Sequence, residues 1–137
     1  MKHQIIWLFI ALAFQVNAQN EIAGKKVNEA FGKSTIEKMS TSEIEWQNFL
    51  AENMCTVNEL PSGKNATYPE IDLSNNGSLN PSEITTENFN PLVAGITPLQ
   101  SEHQHFKISG TNKVLFVFSL DRLKVLYSRY QTNQKKS

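Results

Sequence analysis

The chain has 137 residues, with 13 lysines and arginines against 13 aspartates and glutamates, and a single cysteine. Balanced charge leaves no broad electrostatic footprint for nucleic acid or anionic membrane, and a lone cysteine excludes an intramolecular disulfide. The length suits one hydrophobic core and leaves no room for a second domain of ordinary size.

Read in chain order, the first signal is an export signature. Met1-Lys2-His3-Gln4 is basic, residues 5–14 are apolar (IIWLFIALAF), and Val16 and Ala18 are small residues at the third and first positions before a cut. This pattern predicts a secretory signal peptide over residues 1–18, cleaved after Ala18. The apolar run is too short to span a bilayer, and no later segment is apolar enough to do so. The expected location is therefore periplasmic or secreted. Residues 19–26 are polar and are read as a flexible N-terminal segment, residues 27–130 as a single α+β domain, and residues 131–137 as a polar tail.

Within that domain, Val27, Ala30 and Phe31, then Ile36 and Met39, recur at helical spacing on either side of Gly32, predicting one or two short helices. The clearest helix runs from about residue 41 to 54. Ser40 and Glu43 form a capping-box pair, and Trp46, Phe49 and Leu50 make its apolar face. Cys55, just beyond, reads as a small buried residue. Residues 56–60 alternate as a short strand does. Pro61, Gly63, Pro69, Gly77 and Pro81 then exclude helix. Residues 84–96 carry Ile84, Phe89, Leu92, Val93 and Ile96, with Pro91 limiting any strand pairing to a sheet edge.

The C-terminal third predicts a hairpin. Residues 105–109 and 113–119 flank Gly110-Thr111-Asn112, where the glycine offers positive φ. The apolar run 114–118 (VLFVF) suggests a central strand covered on both faces. Ser119 caps a following helix over about 120–130, with a returning strand over 124–130 as the competing reading. Helices first and strands later give an α+β fold, with N-terminal helices on a small, mostly antiparallel sheet and a C-terminal helix.

Residues 72–83 (DLSNNGSLNPSE) resemble the twelve-residue calcium loop of the EF-hand family. The resemblance implies Ca2+ ligands at Asp72, Ser74, Asn76, Ser78, Asn80 and Glu83, with Gly77 at the sharp turn and Leu79 as the apolar anchor. Only Asp72 and Glu83 carry charge, so affinity falls toward the roughly 10⁻⁴–10⁻³ M of extracellular modules. Tyr68-Pro69 also breaks the helix that would enter such a loop. His103 and His105 share one face of a strand and read as surface histidines without a third partner. Arg122, Lys124, Arg129, Lys135 and Lys136 read as a solvated helix face and tail.

No G-x-S-x-G, H-E-x-x-H or phosphate-cradling glycine loop occurs in the sequence. Residues 43–50 (EIEWQNFL), residues 112–119 (NKVLFVFS) and the Asn-Ala-Gln at the cleavage site resemble small uncharacterised secreted proteins of the Bacteroidota. That resemblance implies an envelope or secreted location and carries no activity. The expectation is an exported, non-catalytic binding or structural module whose partner is an unknown protein or envelope component. The alternatives are a weak calcium-binding module through residues 72–83 and an enzyme of unrecognised type.

Overall fold

The computed structural model describes residues 18–60, 67–75 and 79–136. The signal-peptide reading of residues 1–17 therefore lies outside the described residues. The chain divides into two compact units, Met1–Asn48 and Phe49–Ser137.

In the first unit, residues 18–22 are helical, followed by α1 (Lys25–Phe31) and α2 (Lys33–Ile36), which meet at Gly32 as the sequence suggests. The buried residues are Ala23, Val27, Ile36 and Ile44. Asn48 clamps the turn before α1. Its amide donates to the Ile22 carbonyl at 2.8 Å, and its Oδ1 accepts from the Gly24 N–H at 2.7 Å. A Cβ at position 24 would lie 3.0 Å from that Oδ1, so glycine permits the approach.

Helix α3 (Thr41–Asn53) starts at the predicted capping box. The Ser40 N–H donates to Glu43 Oε2 at 2.6 Å, and the Glu43 N–H donates to Ser40 Oγ at 3.2 Å. These two bonds satisfy donors that a helix start otherwise leaves open. The same contacts hold the Glu43 carboxyl below its ordinary range, the Ser40 backbone N–H first and the Ser40 hydroxyl second.

The second unit holds a four-stranded sheet: β1 (Cys55–Glu59), β2 (Glu70–Ile71), β3 (Gln104–Ile108) and β4 (Lys113–Val117), in the order β1-β4-β3-β2. The β1–β4 and β3–β4 pairs are antiparallel, and β2 runs parallel to β3. The C-terminal element is helix α4 (Leu120–Gln134), which resolves the helix-or-strand question and continues into the polar tail. The fold is α+β, as the sequence predicts. Gly110 takes φ 73° in the β3–β4 turn.

Residues 84–96 form turns, so they add no edge strand. Ile84, Phe89 and Pro91 are buried there. The segment instead covers an edge: Thr86 Oγ1 accepts from the Val57 N–H at 2.9 Å and donates back to the Val57 carbonyl. Covering the outer side of β1 removes a template for strand pairing. At the opposite edge, β2 is only two residues long, a second way of blunting an edge.

The core of this unit gathers Leu50, Met54, Cys55, Leu73, Ile108, Leu115, Val117 and Leu123. Strand β4 is central, as expected, lying between β1 and β3. Its second face differs from expectation: Phe116 is only half-buried, and its cover comes from neighbouring rings.

Candidate functional site

Side chains alternate along a strand. On β4, Leu115 and Val117 enter the core, which leaves Val114 and Phe116 on the opposite face. Register then dictates the neighbours of Phe116. Thr56 pairs with it from β1 and His105 from β3. Continuing the parallel β2–β3 register two residues back from the Glu70–Lys107 pair sets Tyr68 beside His105. A cross-sheet row results: Tyr68, His105, Phe116, Thr56.

The rings touch along this row. Tyr68 stacks on His105 with centroids 5.5 Å apart, and His105 meets Phe116 edge-on at 4.7 Å. His103 and Phe118 extend the cluster. Phe118 lies 4.8 Å from Phe116, and His103 lies 5.2 Å from Phe116 and 5.8 Å from Phe118. His103 and His105 are exposed, while Tyr68, Phe116 and Phe118 are half-buried. Offset and edge-on ring pairs contribute about 0.5–1.5 kcal/mol each beyond area burial. One row further along, Lys107 and Glu70 approach to 3.8 Å. The pair is exposed and stabilises little, but it leaves that flank of the ring cluster with no net charge.

The two histidines are chemically unequal. His103 Nδ1 accepts the Ser119 N–H at 2.9 Å. A ring nitrogen that accepts must hold a lone pair, so neutral His103 carries its proton on Nε2. Metal ligation uses the same kind of lone pair. His105 therefore keeps its imidazole available, whereas His103 has its lone pair engaged in the fold.

Ser119 itself lies at the start of α4 and is 3% exposed. Its Oγ accepts from the Arg122 N–H, and the Leu120 and Asp121 N–H groups donate to the carbonyls of Leu99 and Gln100. Asp121 in turn accepts from the Gln100 amide and from the Ser101 hydroxyl. The donors of this helix start are thus satisfied within the protein. The basic residues Arg122, Lys124, Arg129, Lys135 and Lys136 are all exposed, in line with a solvated face.

Of the loop resembling a calcium site, Asn76, Gly77 and Ser78 lie outside the described residues. Asp72 is exposed and its Oδ1 accepts the Ser74 N–H at 2.9 Å. Bonds from the Ser74 side chain and then its backbone hold the Asp72 carboxyl below its ordinary range. Asn80 Oδ1 caps a 3-10 turn (Pro81–Glu83) by accepting from both the N–H and the hydroxyl of Ser82. Glu83 is exposed within that turn. The carbonyls on either side of it, Ser82 and Ile84, are bound by the Lys113 ammonium at 2.7 and 2.8 Å. An internal cation thus fixes the backbone around Glu83. Among the described residues, no three acidic, histidine or cysteine side chains converge on a metal-sized site. This loop has two carboxylates, so its other ligands would be neutral oxygens.

Beside Lys113 a cleft of about 190 Å³ opens between β1 and residues 84–87. It is smaller than the roughly 300–1,000 Å³ of an ordinary ligand pocket, and Lys113 and Thr86 in its wall already hold structural bonds.

Tyr68 and Phe118 were not singled out from the sequence. Phe118 could have been placed: the hairpin turn fixes the register that brings it near His103 and Phe116. Tyr68 joins through a parallel pairing of two residues, which leaves no local signature. Comparison of the chain with protein families, with curated proteins and with solved structures finds no match.

Proposed function

We propose that this chain is an exported, non-catalytic binding module, acting in the periplasm or outside the cell, whose contact surface is the ring-bearing face of the sheet. The observation that carries this reading is the row Tyr68, His105 and Phe116 with His103 and Phe118 beside it. Five rings occupy a sheet face that solvent still reaches. Aromatic residues are enriched at the cores of protein interfaces, where they supply large contact area at low entropy cost. The export signature at residues 1–18 supports an envelope or secreted partner. A non-catalytic role is supported by the structural bonds that engage Asp121, Lys113 and His103 Nδ1.

Site-specific photo-crosslinking in an envelope extract tests this. A photoreactive residue at position 105 should give a discrete adduct, and one at position 124, on exposed α4, should not. Equal labelling from both positions, or from neither, would overturn the reading.

Calcium binding is the second reading, favoured by the exposed Asp72 carboxylate, held below its ordinary range, beside the buried Leu73. Millimolar calcium should raise the melting temperature of the native chain and leave Asp72→Ala unchanged; no rise in either removes it.

A further inference from the structure

We propose that His103 is an acid-sensitive clasp that releases the start of α4 when its ring takes a second proton. This rests on the β4–α4 junction alone and does not depend on the ring face binding a partner.

The junction is stitched by a set of bonds. The Leu120 and Asp121 N–H groups meet the carbonyls of Leu99 and Gln100, Asp121 accepts from Gln100 and Ser101, and Arg122 donates to the Ser119 hydroxyl. The Ser119 N–H donates to His103 Nδ1 at 2.9 Å. Of these partners, the histidine is the one whose side chain ordinarily changes charge between pH 5 and 8. A proton on Nδ1 turns the acceptor into a donor, and two donors then face each other. The bond is lost, and an amide in a residue only 3% exposed is left without its partner. The His103 ring is exposed, with the Phe116 and Phe118 rings against it, so it can swing into solvent as it lets go.

The charged and titratable groups at this junction are Glu102 in the same segment, Asp121 and Arg122 at the start of α4, and His105 one row away on β3. The uncharged rings of Phe116 on β4 and of Phe118 just beyond it lie against His103. The Glu43 and Asp72 carboxyls, held below their ordinary range, change charge under more acidic conditions than the histidine window.

The test is thermal melting of the full chain at pH 8 and pH 5.5, compared with His103→Asn and His105→Asn. Asparagine offers Oδ1 near the position of Nδ1 and does not titrate. The wild type should lose about 3–6 °C of Tm on acidification, His103→Asn should lose little, and His105→Asn, which leaves the His103–Ser119 bond in place, should still fall. An equal fall in His103→Asn and wild type would overturn the proposal. Should His103→Asn fail to fold, the wild-type amide spectrum decides. The Ser119 amide resonance should shift with the same midpoint as the His103 ring, and a Ser119 amide that stays fixed while that ring titrates would contradict the clasp.

Discussion

Leu115 and Phe116 are adjacent on β4 and serve opposite faces of one sheet. Leu115 is fully buried, with Val57 and Phe106 paired on either side of it. Phe116 is half-buried, and its neighbours are the rings of His103, His105 and Phe118. Both residues are apolar, so hydropathy alone makes them equivalent. Partner chemistry separates them: one face is closed by apolar packing away from solvent, the other by a ring cluster that includes two imidazoles and meets solvent.

The same contrast recurs on α4, where Leu123 is 0% exposed and Val125 is 47% exposed. Leu123→Ala should cost about 3 kcal/mol through lost burial and a residual cavity, and Val125→Ala less than about 0.5 kcal/mol. Urea denaturation of the two variants measures both; similar losses would break the contrast between the faces.

The buried face has one polar flaw. The Gln104 amide oxygen, opposite Val117 in register, is buried without a hydrogen-bond partner among the described residues. Gln104→Met keeps the volume and removes the unsatisfied atom, so it should raise stability by about 1 kcal/mol. A loss of that size instead would mean that the amide is satisfied in solution.

The smallest effect belongs to the α3 cap. The folded Glu43 carboxyl is held below its ordinary range by the Ser40 N–H and hydroxyl. Its contribution is therefore complete above the ordinary carboxylate range and disappears as pH falls through the lowered folded value. Between pH 6 and pH 3, Glu43→Gln should lose less Tm than the wild type; parallel acid profiles would show that the carboxylate adds nothing.

These elements differ in how far they could be read from sequence, and range explains the difference. Ser40 and Glu43 stand three residues apart, so the cap is visible locally. The β3–β4 hairpin is equally visible, because its turn glycine lies between two strand-like runs. For residues 84–96 the sequence says only that Pro91 limits any strand pairing to an edge; the Thr86 contact with β1, distant in sequence, makes them a folded cover. The candidate site was half visible. His103 and His105 stand out in sequence, but Tyr68 reaches His105 only through the β2–β3 pairing, and Ser119 finds His103 sixteen residues away. Neither contact leaves a mark in a short window.

The division between a load-carrying face and a contact face is tested most directly by crosslinking from position 105 in Leu115→Ala and Phe116→Ala, measured side by side with their equilibrium denaturation. Leu115→Ala should lose about 3 kcal/mol. Phe116→Ala gives up three ring contacts of about 0.5–1.5 kcal/mol each; it should remain folded while the crosslink from position 105 disappears, whereas folded Leu115→Ala should keep that crosslink. A Phe116→Ala protein that crosslinks as the wild type does, or a folded Leu115→Ala protein that loses the crosslink, would contradict it.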